Sequence, residues 1–284
     1  MSKNYRAELV GVFGSPVEEN PTCVVEEAGF KELGLNFRYI TVRVEPDELE
    51  DAMTGLRAFK MRGINLTIPH KVEVIKYLDE LSEAAALIGA VNTVVNNDGV
   101  LFGENTDGKG FLKALKDAGT EVKGKKVVML GAGGAARAIA VECALDGAAE
   151  MVIINRDRQR GDELASLINE KTNTKASYIP WIGTADIPED TDILINGTCV
   201  GLYPNVNDKP NINYNGINDK MTVSDVVFNP PDTPFLKEGE KRGAKAVNGL
   251  GMLVNQASVN FKLWTGEDAP WQIMYDALKA EFGV

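Results

Sequence analysis

Around position 70 the chain sets groups able to move a proton beside groups able to hold hydroxyls. The stretch "GINLTIPHKVEV" (63–74) runs an alternating, β-branched segment into Pro69, which cannot extend a strand ladder. A strand over residues 64–68 should therefore carry Thr67, His70 and Lys71 outward at its tip. Three more stretches put polar groups at expected strand ends: "GAVNTVVN" with Asn92, "GENTDGKGF" with Thr106 and Asp107, and "NGLGMLVNQA" with Gln256. A lysine beside a carboxylate can take or return the proton of an alcohol, and amides and hydroxyls can fix the molecule that carries it. Lys71 and Asp107 would suffice for that step, with neither a metal nor a catalytic histidine. His70, the only histidine, reads as a structural or orienting residue. Each residue also has an ordinary use: Lys71 as a surface lysine at a helix start, Asp107 as an N-cap, Asn92 as a strand-end cap, Gln256 as a solvent-facing helical residue.

A second motif is suited to phosphate. "VVMLGAGGAARA" is an apolar strand, then Gly131-x-Gly133-x-x-Ala136, then an alanine-rich helix. The first glycine permits a tight turn, and Gly133 with Gly134 and Ala135 lets backbone amides approach a pyrophosphate at the helix N-terminus. An ordinary strand-to-helix turn is the alternative. The next strand, "MVIIN", ends at Asn155, 24 positions past Gly131, about where an adenosine ribose is read. No acid stands there to bind a free 2′-hydroxyl, while Arg156 and Arg160 follow, which suits a 2′-phosphate. NADP is favoured over NAD, which stays open because Asp157 lies between the two arginines.

The elements that must position these groups fall into two series. Up to about residue 110, short apolar strands (8–13, 36–42, 64–68, 91–95) alternate with helical stretches such as "PDELEDAMTGLRAFKMRG" and "KVEVIKYLDELSEAAALIG", which predicts βαβ units and a largely parallel sheet. A second α/β series starts at "KGKKVVMLG", continues through "AEMVIINR", "TDILINGT" and "TVSDVVFNP", and closes near "GAKAVNGLG". The last stretch, from "MLVNQASVNFKLWTG" onward, has helical spacing and no strand signal, so it must pack on a sheet made earlier. The expected division is 1–108, 109–247 and 248–284.

Composition limits the class. The chain has 284 residues, 44% hydrophobic and 25% charged, with no apolar run of membrane-spanning length. A net charge of -11 argues against nucleic acid and for a small-molecule ligand. Cys23, Cys143 and Cys199 are an odd number without CxxC spacing, which points to buried free thiols and no zinc site. "MSKNYRAELVGVFG" lacks a leader pattern, so a cytoplasmic location is expected, as a monomer or homodimer.

The segments "NLTIPHK", "GAVNTV", "GENTDGKGF", "GAGGAARA", "INGTxxGLYP", "VFNPPDTP" and "GLGMLVNQAxxxFKLWTG" resemble, in order and along nearly the whole chain, the shikimate/quinate dehydrogenase family. The resemblance implies a two-domain α/β protein: an N-terminal α/β substrate domain completed by C-terminal helices, plus a Rossmann dinucleotide-binding domain. It implies that Lys71 and Asp107 form the catalytic pair. Asn92, Thr67 and Gln256 would hold ring hydroxyls, with the reacting hydroxyl in the interdomain cleft. Thr198, Gly249 and Met252 would flank the cofactor. The implied reaction passes a hydride between NAD(P) and a ring hydroxyl of shikimate or quinate.

The pattern breaks at the N-terminus. Where the family places His-Ser-x-Ser-Pro on the substrate carboxylate, this chain reads Glu19-Asn20-Pro21-Thr22-Cys23, and Phe228 stands where a tyrosine is usual. Thr22 keeps a hydroxyl and Asn20 an amide, but Glu18 and Glu19 bring negative charge. Two alternatives follow: the same chemistry on a cyclic polyol with a different headgroup, or a cofactor-binding sensor without catalysis.

Overall fold

Among the described residues, runs of Val, Ile and Leu bounded by Gly, Pro and Asn form twelve strands in two six-stranded sheets. The computed structural model describes residues 5–284, and the N-terminal reading of residues 1–4 lies outside them. Each sheet belongs to its own compact unit: the chain up to Thr106 together with Val254–Val284, and Asp107–Leu253.

The first unit runs β1 (Glu8–Gly14), α1 (Thr22–Glu32), β2 (Phe37–Arg43), α2 (Leu49–Ala58), β3 (Gly63–Leu66), α3 (His70–Glu73), β4 (Glu80–Leu81), α4 (Glu83–Ile88), β5 (Thr93–Asn97) and β6 (Val100–Glu104). Its strand order is β2-β1-β3-β5-β6-β4. β1 pairs in parallel with β2 and β3, whereas β5 is antiparallel to both β3 and β6. The expected largely parallel sheet is therefore mixed. The cause is local: Asp98 and Gly99, at φ 52° and 103°, make a two-residue hairpin turn that reverses the chain between β5 and β6.

The stretch 71–89 is also not one helix. Asp79 accepts from Leu101 N at 2.7 Å and from Arg57 Nη2 at 3.0 Å, which draws the chain onto the sheet edge. Ser82 Oγ then accepts from Ala85 N and starts α4 afresh. Leu49, Met53 and Leu56 of α2 recur at helical spacing and join Ile64, Leu66, Val94 and Leu101 in the core.

The chain from Val254 on, most of α9 (Gly249–Thr265) and all of α10 (Trp271–Phe282), completes this unit. Trp264 is fully buried and donates its indole N–H to Val94 O at 3.0 Å. Gly63 is what admits it, since a Cβ there would lie 2.1 Å from Trp264 Nε1.

The second unit runs α5 (Asp107–Asp117), β7 (Lys126–Leu130), α6 (Gly134–Leu145), β8 (Glu150–Asn155), α7 (Arg158–Lys171), β9 (Lys175–Pro180), β10 (Ile193–Asn196), β11 (Thr222–Asp225), α8 (Pro234–Glu240) and β12 (Lys245–Val247). The sheet is wholly parallel, with order β12-β11-β10-β7-β8-β9. Counted within the unit this is the doubly wound order of dinucleotide-binding sheets, with its switch point between β7 and β10. β9, half-polar and at the edge, was not expected from the sequence. Of the cysteines only Cys143 is buried; Cys23 is intermediate and Cys199 exposed, which corrects the expectation of three buried thiols. Among the described residues no helix is long and apolar enough to cross a membrane.

Candidate functional site

The glycine turn of the second unit has the geometry a pyrophosphate needs. Gly131 sits at φ 103° and donates its N–H to Ile154 O at 2.8 Å, which locks the turn to the sheet. Gly133 precedes α6 in extended backbone, and no side chain caps the helix. A Cβ built on Gly133 or Gly134 would meet no atom within 4 Å, so open space lies in front of the helix N-terminus, beside Ala135. The residues present thus fit a dinucleotide phosphate.

At the end of β8, Asn155 Nδ2 donates to Asp157 O at 2.8 Å. The Asp157 side chain accepts from Arg160 N at 3.1 Å, capping α7, and its other oxygen lies 3.6 Å from Arg160 Nε. Asp157 is thereby engaged with its own helix. Arg156 is exposed and makes no ion pair among the described residues. Thr198 lies against the turn: a Cβ on Gly131 would be 3.0 Å from its Cγ2. Gly249 starts α9 so close to the chain after β11 that a Cβ would lie 2.5 Å from Val227 O, and Met252 follows half-buried on that helix.

In the first unit a buried amide and hydroxyl network surrounds Asn92. Asn92 Nδ2 donates to Thr106 Oγ1 at 3.0 Å, and Asn92 Oδ1 accepts from Thr106 N at 2.8 Å. Thr106 Oγ1 and Thr93 Oγ1 both reach Asn260 Oδ1, at 2.9 and 2.8 Å. Asn260 Nδ2 in turn donates to Gln256 Oε1 at 3.0 Å. Asn65 Nδ2 donates to Thr93 Oγ1 at 3.1 Å, and Asn65 Oδ1 accepts the Tyr39 hydroxyl at 2.8 Å. Gln256 is a mid-helix residue of α9, not a strand-end residue as expected. Its carbonyl accepts from Asn260 Nδ2 one helical turn on.

Sequence reasoning missed Tyr39, Asn65, Thr93 and Asn260. Two signals were there to find: Asn260 follows Gln256 by one helical turn, and Asn65 shares a strand face with Thr67. The Lys71 carbonyl accepts from Val91 N at 2.7 Å, Asn92 is next in the chain and bonds Thr106, and Asp107 follows Thr106 directly.

The strand tip differs from expectation. β3 ends at Leu66, although Thr67 N still reaches Phe13 O at 3.0 Å. Thr67 and Lys71 are half-buried, but His70 is 1% exposed and turned inward, with Nε2 donating to Val44 O at 2.7 Å. That bond ties the turn carrying Lys71 to the segment after β2.

At the N-terminal departure, Asn20 Oδ1 accepts from Thr22 N at 3.0 Å and orders the start of α1. Thr22 is buried and its hydroxyl bonds the Tyr39 phenol, whose pKa burial pushes well above the usual value. Glu18 lies 3.5 Å from Arg43, which also binds Glu45 at 2.8 Å. Backbone N–H groups at Glu18 and Val17 lower the Glu18 carboxyl, and the Ser15 hydroxyl lowers Glu45. Among the described residues no group of three or more His, Cys, Asp or Glu is placed to hold a metal ion.

A doubly wound unit with an open glycine turn, joined to a unit rich in buried amides and hydroxyls, defines an NAD(P)-dependent oxidoreductase. The family description "Shikimate dehydrogenase substrate binding domain" matches residues 12–94, "Shikimate / quinate 5-dehydrogenase" residues 113–202, and "Shikimate 5'-dehydrogenase C-terminal domain" residues 249–279. A shikimate dehydrogenase (NADP(+)) of Methanopyrus kandleri is 44% identical over 281 residues, 98% of this chain and 97% of that one. The solved 5-ketofructose reductase of Gluconobacter sp. strain CHM43 is 45% identical with a TM-score of 0.94, over 98% of this chain and 100% of that one. The shikimate 5-dehydrogenase of Listeria monocytogenes, solved with shikimate and NAD, is 36% identical with a TM-score of 0.91, over 98% and 99%. The chain belongs to the shikimate/quinate dehydrogenase family.

Proposed function

We propose that the protein interconverts shikimate and 3-dehydroshikimate with NADP(H), with quinate and 3-dehydroquinate as the related pair. Lys71 and Asp107 hold and move the proton at the reacting oxygen. Asn92, Thr67 and Gln256 orient the ring hydroxyls, while Asn20 and Thr22 meet the carboxylate end. Gly131, Gly133, Gly134 and Ala135 receive the pyrophosphate, Asn155, Arg156 and Arg160 the adenosine ribose phosphate, and Thr198, Gly249 and Met252 the nicotinamide half. NADP, when bound, supplies or accepts the hydride. The observation that supports the reading is the buried network of the first unit, in which Asn92 Nδ2 donates to Thr106 Oγ1 at 3.0 Å and the Lys71 carbonyl accepts from the neighbouring Val91 N at 2.7 Å. Residues 1–108 and 248–284 form the substrate side and 109–247 the cofactor side. The protein works in the cytoplasm as a monomer or homodimer.

A second reading keeps the chemistry and exchanges the carboxylate-bearing substrate for an uncharged polyhydroxy ketone such as 5-ketofructose. It is favoured by the N-terminal segment, where Asn20 and Thr22 are engaged within the chain and Arg43 is shared by Glu18 and Glu45. Similarity to a reductase of that substrate adds to it. Initial rates with shikimate, quinate and 5-ketofructose, each with NADP(H) and NAD(H), decide between the two. Saturable shikimate turnover is the expected result. Turnover of 5-ketofructose alone would replace the first reading by the second.

A further inference from the structure

The side chain that holds together the loops at the carboxyl edge of the second sheet is Asp225. It ends β11, is 0% exposed, and accepts three hydrogen bonds from three different segments. Asn196 Nδ2, at the end of β10, donates to Oδ1 at 2.9 Å. Val227 N, in the chain leaving β11, donates to the same oxygen at 3.0 Å. Thr233 Oγ1, the N-cap of α8, donates to Oδ2 at 2.7 Å.

Asn196 passes the constraint onward. Its Oδ1 accepts from the Thr198 hydroxyl at 2.7 Å and from Thr198 N at 3.2 Å, and its Nδ2 also reaches Val200 O at 3.2 Å. Thr198 Oγ1 then accepts from Val200 N at 3.1 Å. This loop lies against Gly131 at the switch point between β7 and β10, the place where doubly wound sheets receive dinucleotides. The Tyr203 N–H, which donates to Asn229 O at 2.9 Å, joins the far end of the loop to the same assembly.

We infer that Asp225 is a positioning residue for cofactor binding: through Asn196 it sets the Thr198–Val200 loop, and through Thr233 it sets the segment leading into α8, in the arrangement that receives the dinucleotide. The inference rests on the dinucleotide reading of this edge. Burial pushes the Asp225 carboxyl up to about 6 while its three donors oppose the rise, so the donors are what keep a carboxylate in this site.

Three variants test it. Asp225→Ala severs all three ties. Asp225→Asn keeps an oxygen for Asn196 and Val227 and lets its NH₂ donate to Thr233, whose hydroxyl can accept. Thr233→Val cuts the Oδ2 tie together with the cap bond from Leu236 N, and leaves the Asn196 and Val227 ties in place. NADPH binding is followed by its fluorescence, and KM and kcat are measured separately for NADP+ and shikimate.

The expected result is that Asp225→Ala raises the NADPH Kd and the NADP+ KM by about tenfold. The shikimate KM and the kcat stay within about threefold of wild type, Thr233→Val raises the NADP+ KM by a smaller factor, and Asp225→Asn restores near-wild-type values. Unchanged NADPH binding in Asp225→Ala, or equal increases in both KM values, would overturn the positioning role. If Asp225→Ala does not fold, an unchanged NADP+ KM in Thr233→Val overturns it instead. Failure of the wild type itself to bind NADPH would overturn the dinucleotide reading, and the inference with it.

Discussion

Glu26→Leu should stabilise the protein, by an amount that grows with pH. Glu26 lies on the buried face of α1 with Thr22, Val25, Gly29 and Phe30, and neither carboxyl oxygen has a hydrogen-bond partner. Desolvation pushes this carboxyl well above its ordinary 4.5. A carboxyl that is raised on folding binds its proton more tightly in the native state. Its contribution is therefore fully present below the unfolded value and is lost as pH climbs from there through the folded value, at about 1.4 kcal/mol per pH unit. At pH 7 the wild type bears the cost of an orphaned buried polar group, about 1–3 kcal/mol. Leucine removes the carboxyl and fits an apolar helix face. At roughly 2–4 °C per kcal/mol for a domain of this size, the gain in Tm is about 2–12 °C.

Thermal unfolding of both proteins, followed by circular dichroism from pH 5 to 8, reads the effect. The wild-type Tm should fall across that range more steeply than that of Glu26→Leu. Glu26→Gln should lose the pH dependence yet gain little at pH 5, because its amide is as poorly partnered as the acid. A Glu26→Leu protein less stable than wild type at pH 8, or one with the same pH slope, would refute the reasoning.

Arg156→Ala should raise the KM for NADP+ by about tenfold and leave that for NAD+ nearly unchanged, the loss expected when an arginine–phosphate pair goes; equal effects on both cofactors would remove Arg156 from the 2′-phosphate site. Gly63→Ala should destabilise the protein by about 3 kcal/mol or more, because its methyl would occupy the space of Trp264 Nε1 and Val94 O. Denaturant unfolding checks it, and a midpoint equal to wild type would mean that the Trp264 packing yields easily.

Much of the fold was legible because its signals are local. The glycines of "LGAGGAARA" encode their own turn, and the apolar spacing of α2 encodes its buried face. What escaped depended on partners far along the chain. The hydroxyl of Thr93 meets Asn260 across 167 residues, and no periodicity announces a buried amide of that kind. His70 faced inward because Val44 O, 26 residues earlier, offered an acceptor for its ring N–H. The break in the 71–89 stretch likewise came from Leu101 and Arg57 drawing Asp79 away from the helix. One miss was local: the Asp98-Gly99 turn is a hairpin signal by itself, and reading it would have predicted the antiparallel half of the first sheet.

The measurement that bears most directly on the mechanism is the kcat of Lys71→Met for NADP+ reduction with shikimate, taken beside its NADPH affinity. Loss of the proton-moving lysine should lower kcat by about 10²–10⁴-fold while NADPH binds as in the wild type. A kcat within about threefold of wild type would contradict the assignment of proton transfer to Lys71.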